Sequence, residues 1–143
     1  MMRALLDVNV LIALLDAGHV SHVAARDWFA ANASFGWASC AITQNGCLRI
    51  MSHAGYPNAR PVAEVARRLA TATSQPIHEF WSDAVSILDA SRIDHSRIHG
   101  PKQLTDVYLL ELAVERDGRL VTFDRAIPVQ AVRGANSSHL VVL

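Results

Sequence analysis

Three aspartates lie beside strongly apolar sequence, which is an unusual setting for a charged side chain. Asp7 and Asp124 each follow a short apolar run that predicts a strand, and Asp106 opens an apolar stretch that predicts a helix. An unpartnered buried carboxylate is costly, so three of them indicate either arginine partners or a bound hard cation. Mg²⁺ and Mn²⁺ prefer oxygen ligands and commonly accept substrate phosphate as well. The pattern therefore favours a divalent-cation site that acts on phosphate.

Each aspartate also has an ordinary structural interpretation. Aspartate is a preferred N-cap, so Asp7 is a candidate cap for the helix that follows it. Asp106 stands in a first helical turn, where a negative charge is favourable to the helix dipole. Open α/β sheets, however, bind ligands at the carboxyl ends of their strands, where Asp7 and Asp124 are predicted. Taken together, the three acids favour a shared acidic pocket over three separate caps.

The elements that must position these acids alternate between short apolar strands and amphipathic helices. The predicted strands are Ala4–Leu6, Gly36–Ala41, Ile77–Trp81, Arg119–Phe123 and Leu140–Leu143. The predicted helices are Val8–Asp16, Ser21 (as N-cap) to about Ala31, Thr43 (as N-cap) to Ala54, Pro61 to about Thr73, Asp83–Ala90 and Gln103–Arg116, with Ser91–Pro101 as a loop. Such alternation predicts an α/β fold with a mostly parallel central sheet.

Composition restricts the class of protein. The chain has 143 residues, 51% of them hydrophobic, which suits one domain spanning residues 1–143 with a substantial core. Thirteen basic residues balance thirteen acidic ones, which excludes a strongly basic nucleic-acid coat but leaves a local basic face open. No apolar run approaches the ~18 residues of a membrane span, and no signal peptide is recognisable. We therefore expect a cytoplasmic protein with no membrane partner, with Cys40 and Cys47 as buried thiols.

Four short sequence motifs occur in order along the chain: Leu5–Leu11, Ile42–Arg49, Gln103–Leu110 and Leu120–Arg125. As an ordered set at this spacing they resemble the PIN-domain family, and within it the VapC toxins of bacterial toxin–antitoxin pairs. The resemblance extends over essentially the whole chain. It implies a three-layer α/β/α sandwich around a mostly parallel sheet.

The resemblance also implies an activity. Members of the family are endoribonucleases that depend on Mg²⁺ or Mn²⁺ and arrest growth as the toxin of a type II pair. Carried over by position, Asp7, Asp106 and Asp124 are the catalytic, metal-holding acids, and Asn9 and Thr122 match supporting positions. The implied partners are an RNA substrate, a VapB-type antitoxin that covers the site, and a second copy of the chain in a homodimer.

One departure from the family pattern concerns the third helix. The family often has a glutamate a few residues before the arginine, whereas this chain reads Gln44-Asn45-Gly46 before Arg49. We expect weaker metal binding or the loss of a second metal. Binding of Gln44 through water, and substitution by the spare acids Glu79 or Asp83, stay open at this stage.

Two other functions compete with the nuclease. A non-catalytic PIN-like module that binds RNA or protein is favoured by the missing glutamate and disfavoured by the three retained aspartates. A haloacid-dehalogenase-like phosphatase would need an acid where Asn9 stands and a downstream lysine, for which only Lys102 is present.

Basic residues near the predicted loop are candidates for contact with an RNA backbone, because phosphate contacts come mostly from arginine and lysine. Arg92, Arg97 and Lys102 surround this loop, although nearby acids dilute the patch. Arg125 directly follows Asp124, but the sequence alone assigns it no contact with RNA.

Overall fold

A computed structural model describes residues 2–143 of the chain. Its strands are β1 Ala4–Leu6, β2 Trp37–Cys40, β3 His78–Trp81, β4 Arg119–Thr122 and β5 Leu140–Val142. Its α-helices are α1 Val8–Leu15, α2 His22–Asn32, α3 Ala41–Met51, α4 Val62–Thr73 and α5 Leu104–Glu115. No helix in residues 2–143 is both long enough and apolar enough to cross a membrane.

The sheet is parallel throughout, with strand order β3-β2-β1-β4-β5. The chain runs outward from β1 through β2 to β3, then crosses back to place β4 on the other side of β1. The order of the strands therefore reverses between β1 and β4, where Leu6 lies opposite Val121. Crevices at such reversals, at the carboxyl ends of the strands, are the usual ligand sites of open α/β sheets.

Two cores, one on each face of the sheet, confirm the predicted three-layer α/β/α sandwich. Along β1, Leu5 points into one core and Leu6 into the other, because successive side chains of a strand alternate between faces. Helices α1 to α4 pack on the Leu6 face, and α5 packs on the Leu5 face. Both faces of the central strands are therefore buried, which explains why β1 is apolar throughout.

The helix predicted at Asp83–Ala90 is wrong, because the chain has no helix there. Val85 and Ile87, two residues apart, pack against the core, while Leu88 is 81% exposed. That alternation suits an irregular, extended segment better than one face of a helix. The segment is instead tied down by hydrogen bonds, including one between His95 Nε2 and the Ile87 carbonyl oxygen at 2.7 Å.

The helix boundaries differ from prediction by one residue in α1, α2 and α5, and the larger or more informative differences are in α3 and α4. Thr43 does not cap α3; Cys40 occupies the N-cap position, and Thr43 Oγ1 accepts a hydrogen bond from the Cys40 amide at 2.9 Å. Helix α3 ends at Met51 rather than Ala54. Pro61 precedes α4 as its N-cap instead of standing inside the first turn. None of these shifts moves Asp7, Asp106 or Asp124, and Asp16 becomes the C-cap of α1 instead of its last residue.

Candidate active site

Asp7 joins the end of β1 to the start of α1 and is held by two hydrogen bonds. Its Oδ1 accepts from the Val8 amide at 2.7 Å, so it is the helix N-cap that the sequence allowed. Its Oδ2 accepts from the Thr122 hydroxyl at 2.7 Å. The residue is only 6% exposed, and burial raises the pKa of its carboxyl group while the two hydrogen bonds oppose that rise. Asp7 is therefore both the N-cap of α1 and one of the acids of the candidate site.

Thr122, the last residue of β4, places its hydroxyl between three partners. It donates to Asp7, accepts from the Asp124 amide at 3.0 Å, and accepts a longer bond from Asn9 Nδ2 at 3.4 Å. One donated and two accepted bonds use the full capacity of a hydroxyl group. Because Thr122 is fully buried, this network fixes Asp7 relative to the turn that carries Asp124.

Asn9 and Asp124 complete the link between α1 and the turn after β4. Asn9 Oδ1 accepts from the Phe123 amide at 3.3 Å, so its amide group contacts both Thr122, at the end of β4, and the turn that follows. Asp124 Oδ1 accepts from the Ala126 amide at 2.8 Å, which holds its carboxylate at the surface of the crevice. The side chains of Asn9 and Thr122 thus join the start of α1, beside Asp7, to the turn that carries Asp124.

Asp106, in the first turn of α5, brings the third carboxyl group to the same crevice. Its pKa is raised to about 7, mainly by burial. Repulsion from Asp7 raises it further, as do a hydrogen bond with Asp124 and repulsion from that carboxylate. Repulsion from Asp124 also raises the pKa of Asp7. The structure therefore brings together all three aspartates singled out in the sequence.

The chemistry of this crevice suits a hard cation. Its donors are three carboxyl groups and a side-chain amide, and carboxylate and carbonyl oxygens are the ligands that Mg²⁺ and Mn²⁺ prefer. Burial is the main cause of the raised pKa values of Asp7 and Asp106, and repulsion from the neighbouring carboxylates, which a divalent charge would neutralise, adds to it. Nevertheless, as the side chains of residues 2–143 stand, no group of three or more His, Cys, Asp or Glu residues is arranged so that it could hold a metal ion.

Helix α3 adds no fourth acid, and its packing explains why. Gly46 lies so close to α1 that a Cβ atom there would come within 2.8 Å of Val8 Cγ2. Gln44 turns away toward the sheet, where its Nε2 donates to Ser39 Oγ at 3.0 Å. The direction in which a side chain at position 46 would point is therefore filled by the residue next to Asp7.

Neither spare acid replaces the missing glutamate. Glu79 accepts from Trp81 Nε1 at 2.8 Å and lies 3.6 Å from Arg3 Nε. Asp83 lies against the hydroxyl of Tyr108, whose pKa is raised to about 12, first by burial and then by this carboxylate. The crevice therefore has three acids.

Two of the cations proposed as RNA contacts are already neutralised. Arg92 forms an ion pair with Glu115 and lies 3.6 Å from Asp89 Oδ2, while Arg97 lies 3.3 Å from Asp94 Oδ2. These ion pairs stabilise the irregular segment and attach it to α5. The sequence showed the nearby acids but not that they are direct partners.

The fold and this crevice define the class of protein. The PIN domain model matches residues 4–132, and the chain belongs to the PIN domain family. It is 58% identical over 142 residues to Ribonuclease VapC44 of Mycobacterium tuberculosis, covering 99% of this chain and 100% of the relative. Ribonuclease VapC39 of the same organism is 42% identical over 134 residues, covering 93% and 96% respectively.

A solved structure has the same fold at low sequence identity. The structure of VapBC2 from Rickettsia felis, bound to a DNA fragment from its promoter, superposes with a TM-score of 0.61 at 13% identity. The match covers 99% of this chain and 98% of the other. The arrangement of sheet and helices is therefore shared well beyond recognisable sequence similarity.

Replacing Thr122 by valine is expected to destabilise the protein by about 2 kcal/mol, because Asp7 loses a buried hydrogen bond. The loss should be larger at pH 8 than at pH 5. The Thr122 bond lowers the pKa of Asp7, so without it ionisation of this buried carboxyl group costs more. Chemical denaturation of Thr122→Val and Thr122→Ser at both pH values measures this. Serine keeps the hydroxyl group, so equal, pH-independent losses in the two variants would contradict the role of the bond.

Proposed function

We propose that this protein is an endoribonuclease that depends on Mg²⁺ or Mn²⁺ and acts as the toxin of a type II toxin–antitoxin pair. The observation that carries the proposal is the meeting of Asp7, Asp106 and Asp124 where the strand order reverses. The ribonuclease part of it is supported by the full-length match to Ribonuclease VapC44. Asp7, Asp106 and Asp124 are the residues that we propose to be catalytic.

In this proposal the three carboxyl groups would hold the ion, and the ion would bind the scissile phosphodiester. A bound divalent ion would activate a water molecule and neutralise the charge that develops on phosphate oxygens. Thr122 and Asn9 act as positioning residues, since their bonds fix Asp7 and the turn that carries Asp124. No nucleophilic side chain is needed, and burial raises the pKa of the Cys47 thiol to about 12, which makes it a poor nucleophile.

The proposed partners follow from the relatives. A VapB-type antitoxin is supported by the structural neighbour, which is described as a VapBC assembly. An RNA substrate is supported by the ribonucleases named VapC44 and VapC39. A homodimer and a cytoplasmic location rest on resemblance to the family.

Cleavage of a total RNA pool by the purified protein tests the activity. Lanes with Mg²⁺, Mn²⁺ or EDTA are compared, and Asp7→Asn is prepared identically. We expect discrete fragments with either metal, and none with EDTA or with the variant. Fragments that persist in EDTA would contradict metal dependence, and fragments that persist in Asp7→Asn would point to a contaminating nuclease.

Thermal unfolding separates the enzyme from the alternative of a non-catalytic module, which the absence of a fourth acid near Gly46 favours. A ligand specific for the folded state, at about 100 times its Kd, adds roughly 2.7 kcal/mol of stability. We therefore expect Mn²⁺ to raise the Tm by roughly 5–10 °C. Asp7→Asn, with one ligand removed, should gain much less. A wild-type Tm that Mn²⁺ does not change would support the module.

A further inference from the structure

Asp106 and Asp124 reach the crevice from separate elements, the first turn of α5 and the turn after β4. When both carboxyl groups are ionised they repel each other, so contacts between their elements are needed to keep them close. Thr122 and Asn9 join Asp7 to the turn that carries Asp124, but their hydrogen bonds do not extend to α5. Another contact therefore has to hold the start of α5 to this turn.

Gln103 makes this contact. It precedes Asp106 by three residues, and its Nε2 donates to the Ala126 carbonyl oxygen at 3.1 Å. The Ala126 amide in turn donates to Asp124 Oδ1 at 2.8 Å. The backbone of Ala126 is thus bound at its amide by the Asp124 carboxylate and at its carbonyl group by Gln103. A continuous path of hydrogen bonds therefore runs from the start of α5 to the acid on the other element.

The other end of the Gln103 amide group is also fixed. Its Oε1 accepts from the His99 amide at 2.8 Å, in the segment that leads into α5. Because one partner donates and the other accepts, only one orientation of the amide group satisfies both. Gln103 occupies the N-cap position of α5, yet its side chain does not cap that helix. Both of its polar ends bind neighbouring segments instead.

The expected effect of these bonds on folding is small. Gln103 is half-buried, and a hydrogen bond that water can replace contributes little net free energy. By contrast, removing a group that orients metal ligands typically weakens metal binding 10- to 100-fold. Loss of the Gln103 side chain should therefore affect the arrangement of the acids more than the stability of the fold.

On the basis of the proposed function, we infer that Gln103 is a positioning residue of the metal site, which keeps Asp106 and Asp124 together by joining α5 to the turn after β4. It acts through the Ala126 backbone on the orientation of the Asp124 carboxylate, and not as a ligand of the ion. Without it, the start of α5 and this turn are free to separate, and the two carboxylates no longer converge on one ion.

Gln103→Met tests the inference, because methionine keeps the length of the side chain without either hydrogen bond. Tm is measured in EDTA and with Mn²⁺ at about 100 times the wild-type Kd. We expect the variant to lose about 3 °C or less in EDTA. Its gain from Mn²⁺ should fall to about half of the wild-type gain, which corresponds to a roughly tenfold weaker Kd. Titration with Mn²⁺, followed by the electron paramagnetic resonance signal of the free ion, measures that Kd directly.

Hydrogen exchange of the Ala126 amide, followed by NMR in EDTA, gives a readout that needs no metal. Exchange should be about tenfold faster in Gln103→Met, because the turn is released from α5. Asn136→Ala is the matched control for both experiments. Asn136 Oδ1 accepts from the Ser138 amide at 2.9 Å in a short turn before β5, outside the candidate site. This variant should lose a similar Tm in EDTA and keep both the wild-type gain from Mn²⁺ and the wild-type exchange rate.

The outcomes separate this inference from the proposed function. If Gln103→Met lowers the Tm equally with and without Mn²⁺, the side chain only stabilises the fold, and the inference is overturned while the nuclease stands. Unchanged exchange at Ala126 overturns it as well, because the turn is then held by other contacts. A wild-type protein that does not bind Mn²⁺ would contradict the proposed function, and the inference would fall with it.

Discussion

Replacing Asp106 by asparagine is expected to lower RNA cleavage at least about 100-fold and to stabilise the metal-free protein above neutral pH. Loss of groups that merely support metal ligands costs 10- to 100-fold, so loss of a ligand should cost at least as much. The stability gain arises because the pKa of Asp106 is about 7 in the folded protein and 3.8 in the unfolded chain. Its contribution to stability is complete below pH 3.8 and is lost as the pH rises through 7.

Tm measurements in EDTA between pH 5 and pH 9 test this prediction. Asp106 is partly exposed, so solvent screens much of the repulsion, and we expect Asp106→Asn to gain only about 3 °C at pH 9. The gain should shrink toward pH 5. Asp27→Asn is the control, since Asp27 is an exposed acid on α2 that pairs with Arg26. A variant that keeps wild-type cleavage, or whose Tm falls with rising pH as steeply as that of the wild type, would contradict the assignment.

Replacing Glu111 by leucine is expected to stabilise the protein by about 2 kcal/mol at pH 8 and by less at pH 5. Glu111 is 1% exposed, and neither carboxyl oxygen has a hydrogen-bond partner. Burial is the main cause that raises its pKa, to about 7; Arg92 and, more weakly, His95 oppose this rise, and Asp89 and Glu115 add to it. The folded protein therefore loses stability as the pH rises through 7, because the buried carboxyl group must then ionise.

Urea denaturation of the wild-type protein, Glu111→Leu and Glu111→Gln at pH 5 and pH 8 measures the effect. Glutamine keeps the size and polarity of the side chain without the charge. It should therefore weaken the dependence on pH and give little gain at pH 5, whereas leucine should be more stable at both pH values. If leucine destabilises the protein at pH 8, the carboxylate has a stabilising partner that its surroundings do not show.

The sheet and the position of the acids could be predicted because both follow from local patterns. Short apolar runs that alternate with helices specify a parallel sheet, and the carboxyl ends of its strands meet at one edge. Asp7 and Asp124 directly follow two such runs, and these became the adjacent strands β1 and β4. The positions of Asp7 and Asp124 in the sequence were therefore sufficient to predict that they lie at the same edge of the sheet.

The contacts between distant segments could not be predicted in the same way. The segment at Asp83–Ala90 follows tertiary contacts with α5 and the core rather than its own weak helical pattern. The burial of Glu111 depends on the same covering segment. Likewise, the pairing of Arg92 with Glu115 forms only when α5 and this segment are packed together. Pairing across 23 residues leaves no periodic pattern in the sequence.

The close approach of Gly46 to Val8 limits how this site can change in evolution. Glutamate at position 46 alone would force the helices apart, since its Cβ would press on a β-branched side chain that has few rotamers. A smaller residue at position 8 alone would leave a void beside Asp7. Each change is expected to be harmful alone and tolerated with the other, which is sign epistasis. A fourth carboxylate at position 46 therefore requires a second change, at position 8 of the adjacent helix. Because either change alone is harmful, the packing of α3 against α1 favours retention of the three-acid site.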